Sequence, residues 1–175
     1  MAGTTTNNGW DYPTSTDYVK DGATAIQTLA TDIDTSVGTG LLAWQSWAPT
    51  LSGGWLNGNG TWTAKYCQIG KTVFVNATFT VGSTTTKGTN ALVSLPVTAN
   101  GTPSRLQSGV SQATVAGNGT FLTTAIWNNT TTCNISMLST ASATNVVTRA
   151  NITATYPATW ATGDVLTINL TYEAA

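Results

Sequence analysis

Lys71-Thr72-Val73-Phe74-Val75-Asn76-Ala77-Thr78-Phe79-Thr80-Val81 is the stretch that decides the fold. From Val73 to Val81 every odd position is apolar and most even ones are polar, the period-two signature of a strand with one face buried. The run Leu166, Ile168, Leu170 and Tyr172, alternating with Thr167, Asn169 and Thr171, repeats it near the end of the chain. Working outward, further strands are expected at 43–51, 61–68, 91–97, 106–115, 120–127, 131–138 and 145–155. Turn signals lie between them: Gly53-Gly54, Asn57-Gly58-Asn59-Gly60, Asn100-Gly101 and Gly117-Asn118-Gly119. About nine short strands at this spacing point to a mainly β protein, a sandwich of the jelly-roll type.

Composition agrees. The 175 residues suffice for one main domain with a small appendage. Thr occurs 38 times, and a β-branched residue with a solvated hydroxyl suits a pleated surface. Only 7% of residues are charged, but 41% are hydrophobic and seven are Trp, so a folded domain with a neutral polar surface is expected rather than disorder. Six dispersed Lys and Arg cannot build the positive field that phosphate binding needs, which excludes nucleic acid as a partner. The start of the chain has no basic or apolar signal region and no run of 18 apolar residues occurs. A soluble, non-exported product without a membrane partner is therefore expected. The Asn-x-Thr/Ser triplets at Asn76, Asn118, Asn134 and Asn169 are the chance product of an Asn- and Thr-rich chain.

The first 40 residues differ in texture. Five of the seven acids, Asp11, Asp17, Asp21, Asp32 and Asp34, fall there. Ala23, Ile26, Leu29, Ala30, Ile33 and Val37 recur at intervals of three and four, which places them on one helix face, with Asp17 as N-cap and Gly38 and Gly40 as stops. Gly22 costs such a helix about 1 kcal/mol relative to Ala, favouring a start after it. A helix of this length draws its stability from packing, so Ile26, Leu29, Ile33 and Val37 are the candidate oligomer interface; packing on the chain's own β-domain is the alternative. Before it, Asn7 to Pro13 reads as an extended aromatic arm in which Trp10, Tyr12 and Pro13 are the candidate attachment residues, with folding back on the same subunit as the alternative. The division expected is 1–40 for the arm and helix and 45–175 for the β-sandwich.

Chemistry is sparse. Without His, a Ser or Cys nucleophile lacks its usual base, and the outer domain holds only Asp164 and Glu173 as carboxylates. Asp164, in Thr162-Gly163-Asp164, reads as a turn residue. No enzyme activity, cofactor or metal is expected. Cys67 and Cys133 are expected as free buried thiols. What remains is recognition by aromatics and amides. Among Trp44, Trp47, Trp55, Trp62, Trp127 and Trp160 most should be core or interface residues, and Trp55, in the Gly-Asn-rich turn 52–60, is the candidate exposed glycan contact.

Asn8-Gly9-Trp10-Asp11-Tyr12-Pro13, then Asp17-Tyr18-Val19-Lys20-Asp21-Gly22-Ala23 and Ala25-Ile26-Gln27-Thr28-Leu29, resembles the N-terminus of tail-fibre-like and minor structural proteins of phages infecting actinobacteria. Trp47-Ala48-Pro49-Thr50-Leu51, Lys65-Tyr66-Cys67-Gln68-Ile69-Gly70-Lys71, Leu95-Pro96, Gly163-Asp164 and Thr171-Tyr172-Glu173 resemble the β-domain that ends many such proteins. The resemblance implies a virion component assembled in the host bacterial cytoplasm: a homotrimeric fibre- or spike-like subunit joined through residues 1–40 to a capsid, portal or tail protein, with host cell-wall glycan as a further partner. Only residues 38–43 stand where longer members carry a repetitive shaft. A capsid decoration or head-fibre protein seated at a capsid symmetry axis, supporting the shell, is the alternative expectation.

Overall fold

The alternation at 71–81 becomes strand β6 (Thr72–Thr80), and its odd residues Val73, Val75, Ala77 and Phe79 are all buried, with Val81 just beyond the strand. Opposite them β13 (Val165–Glu173) sets Tyr172, Leu170, Ile168 and Leu166 in register, so the two patterned segments meet as one apolar ladder. Each such side chain removed from water contributes about 1.5–3 kcal/mol, which fixes the register against a one-residue slip.

A computed structural model describes residues 3–6, 8–37, 43–101, 106–107, 109–140 and 147–175. The chain forms two compact units, 1–43 and 44–175. The second is all β: β3 (Gln45–Ser46), β4 (Leu51–Ser52), β5 (Thr61–Ile69), β6, β7 (Leu92–Ser94), β8 (Leu106–Gln107), β9 (Gly109–Val115), β10 (Gly119–Trp127), β11 (Thr132–Thr140), β12 (Val147–Asn151) and β13. These form a single antiparallel sheet in the order β3-β5-β6-β13-β9-β10-β11-β7-β4, with β12 also on β11 and β8 also on β13. The sheet curls around one core in a jelly-roll-like β-sandwich, as expected. Its inner face carries the β6/β13 ladder together with Ala113, Val115, Ala125, Ile135, Cys133, Val93 and Leu51. The last strand in chain order, β13, lies in the middle of the sheet, between β6 and β9.

Strands expected at 61–68, 120–127 and 131–138 form within two residues of those bounds, while 91–97 shortens to β7 and 145–155 to β12. The stretch 43–51 splits into β3 and β4, and along 106–115 the register against β13 shifts by one residue between β8 and β9. Beyond that shift Gly109 lies so close to the carbonyl oxygen of Asn169 that a Cβ there would collide with it.

The first unit departs from an extended arm. Gly3–Thr4 (β1) and Asp11–Tyr12 (β2) pair antiparallel, and the Tyr12 ring crosses Gly3 where a side chain would clash. A 3₁₀ turn (Val19–Asp21) leads into α1 (Gly22–Thr35), which packs against β2. Gly22 is thus the first residue of the helix rather than outside it. Asp17 is not the N-cap: its carboxylate accepts from the Thr14 N–H at 2.7 Å, and its own N–H donates to the Thr14 carbonyl, closing a turn before the helix. Asp21 occupies the cap position, without a side-chain hydrogen bond. Gly38 and Gly40 lie outside the described residues. Among the described residues no helix is long and apolar enough to cross a membrane.

Candidate functional site

The apolar stripe on α1 is divided by packing. Gly22, Ala25, Leu29, Asp32 and Ser36 are half-buried at spacings of three and four, and so mark the face that meets the hairpin. At 100° per residue, Ile26, Ile33 and Val37 lie about a quarter-turn around the helix. They remain 60%, 39% and 42% exposed. Leu29 sits at the boundary between the two faces. Packing among the described residues of this unit thus leaves much of its Ile and Val side-chain surface uncovered.

The attachment candidates are distributed differently from the reading of a bare arm. Trp10 is half-buried within its own unit, where its indole N–H donates to the Ser36 hydroxyl at 3.2 Å. The alternative of folding back therefore describes it, because the β1–β2 hairpin carries the indole onto the end of α1. The Trp10 backbone N–H donates to the Thr5 hydroxyl at 2.9 Å. Tyr12 and Pro13 are exposed.

Trp55 overturns its expected exposure. It is 1% exposed and meets Trp160 edge-to-face at 5.6 Å between ring centroids. The physical reason is the glycine content of two loops. Gly54 and Gly88 touch backbone to backbone, a spacing that any Cβ would destroy. Leu56 and Thr86 exchange backbone hydrogen bonds, while Asn57 accepts from the Leu51 N–H and donates to the Pro49 carbonyl. The loop is stitched down and the indole points inward. Trp55 is therefore not the glycan contact.

Trp44, placed just before β3, is the exposed Trp of the β-unit at 54%. Beside it the outer sheet face forms a groove of about 620 Å³. Registers across β5, β6 and β13 build its floor: Lys65 opposes Asn76, which opposes Asn169, and in the next row Cys67 opposes Phe74, which opposes Thr171. No local signal in the sequence could have found it, because its rows join residues 93 apart.

Comparison with protein-family models, curated proteins and solved structures returns no match to this chain.

A second outward patch, with Val110, Leu122 and Leu138 exposed, lies on β9, β10 and β11. The two carboxylates of the β-unit, Asp164 and Glu173, lie apart. Asp164 is buried, and its carboxylate accepts from the N–H groups of Ala116 at 2.8 Å and Ala161 at 2.6 Å, as a turn residue does. Glu173 lies nine residues along the same chain segment, about 30 Å away at the rise of an extended strand. Among the described residues no three of Cys, Asp and Glu gather as metal ligands. Cys67 and Cys133 are both buried, and neither forms a disulfide. Burial pushes the Cys133 thiol up to about 12, so it stays protonated in the core.

Proposed function

We propose that this chain is a non-enzymatic structural protein of a phage virion. It is a trimeric fibre- or spike-like subunit that attaches through its first unit and presents its β-domain outward. The observation that carries the reading is the stripe of Ile26, Ile33 and Val37, left largely uncovered by packing among the described residues of its own unit. An apolar stripe of this kind on a short helix is an association surface, and three copies packed about an axis would cover it. The β-domain supports the outward role, since its core is self-contained and its surface is neutral, Thr- and Asn-rich and poor in charge. The resemblance of residues 8–29 to phage structural proteins supplies the virion.

The brevity of residues 38–43 favours a second reading within the same class, a knob seated directly on the capsid as a decoration or head-fibre protein. Location separates the two. A tagged copy supplied during infection should be recovered in purified particles, and immunogold labelling should place it on the head or the tail. Deleting residues 1–43 should abolish incorporation and leave the β-domain with a cooperative thermal transition. Absence of the full-length chain from particles, or normal incorporation of the truncated one, would overturn the proposal.

A further inference from the structure

The groove beside Trp44 has a hydrogen-bonding pattern that can be read atom by atom. The Val110 carbonyl can only accept, so the amide of Asn169 turns its Nδ2 toward it, at 3.3 Å. That leaves Asn169 Oδ1 to accept from Asn76 Nδ2, at 2.7 Å. Asn76 Oδ1 is thereby left as an acceptor in the row it shares with Lys65, whose ammonium has no carboxylate partner among the described residues. The Thr171 hydroxyl adds a group that both donates and accepts, and Trp44 and Phe74 supply aromatic walls. The floor is a sheet whose backbone groups are committed to neighbouring strands, so an extended peptide could not dock by strand addition.

We propose that this groove binds an anionic saccharide. A sugar ring has an apolar face that stacks on indole and a rim of hydroxyls that both donate and accept; the oriented amides and Thr171 meet that rim. The Lys65 ammonium selects a carboxylate- or phosphate-bearing sugar, while one Lys is far too little for a nucleic-acid backbone. The proposal deepens the outward role of the β-domain and rests on that role. It moves the glycan contact from the buried Trp55 to Trp44.

The test uses the full-length chain in calorimetric titrations with the N-acetylglucosamine–N-acetylmuramic acid disaccharide, which is anionic, and diacetylchitobiose, its neutral counterpart. Both should bind saturably in the millimolar range or tighter, and the acid more tightly at low salt. Trp44→Ala should weaken both by about tenfold or more. Lys65→Gln should erase the preference for the acid, and because both side chains lie at the surface each variant should melt like the parent. Absence of saturable binding of either sugar up to about 10 mM, which corresponds to less than about 3 kcal/mol, would overturn the proposal. So would undiminished binding by Trp44→Ala, or a change in its sedimentation, which would make the groove a subunit contact. Failure here leaves incorporation into particles untouched, and failure of incorporation leaves sugar binding measurable.

Discussion

Replacing Ile26 and Ile33 together by Asp tests the association surface directly. These residues and Val37 are 60%, 39% and 42% exposed, so about 1.4 side chains' worth of their surface is left to cover. At about 1.5–3 kcal/mol for each fully buried side chain, a trimer gains about 2–4 kcal/mol per subunit, or about 6–12 kcal/mol in all. Bringing subunits together costs about 4–15 kcal/mol per association step, so the stripe alone supports only weak, concentration-dependent assembly. A tighter trimer requires more area, for which the outward Val110, Leu122 and Leu138 are available. In sedimentation equilibrium the parent should rise with concentration from 18.1 kDa toward three times that mass, and the double variant should stay at 18.1 kDa. The thermal transition of its β-unit should be unchanged, because both substitutions lie in the first unit. A parent that remains monomeric at every concentration, or a double variant that assembles like the parent, would refute the reasoning.

Trp55→Ala should cost about 3–5 kcal/mol in denaturant unfolding, since it empties a site in the core and strips Trp160 of its edge-to-face partner; a loss below about 1 kcal/mol would contradict the inward placement. Asp164→Ala leaves the N–H groups of Ala116 and Ala161 without their acceptor and should cost about 2–4 kcal/mol by the same measurement. Alkaline pH should destabilise the β-domain through Cys133. Its native thiol titrates near 12 against an ordinary 9.0, so the unfolded chain releases its proton first and stability falls from pH 9 upward. The slope should approach about 1.4 kcal/mol per pH unit and largely vanish between pH 9 and 10 in Cys133→Ala. Tyr172, also raised by burial, adds a second fall above pH 10 in both proteins.

The strands were legible because each is buried on one face, so that sequence alternation reports which side chains point inward. Val73 to Val81 and Leu166 to Tyr172 both keep that correspondence residue by residue. The loop around Trp55 was misread for a physical reason. Gly and Asn in a turn ordinarily mean solvation, and the approach of Gly88 to Gly54 depends on two segments more than thirty residues apart. The arm was misread because a β1–β2 pairing of two residues per strand carries no periodic signal. The helix stripe was legible as apolar, but its division into a packed and an open face depends on where the hairpin lands. The groove belongs to the sheet register, and nothing in any local window announces it.

The central position of β13 carries a consequence for biogenesis. The ribosome delivers α1 more than a hundred residues before the strand that joins β6 to β9, so the association surface exists while the β-domain still lacks its middle. Sheets closed by such distant pairings form slowly, over milliseconds to seconds, and translation proceeds at about 5–20 residues per second. Neighbouring nascent chains on one message thus have several seconds in which their helices can meet before any outer domain is finished. Under the proposed trimer, subunit counting would precede folding, and copies that emerge together would stay together.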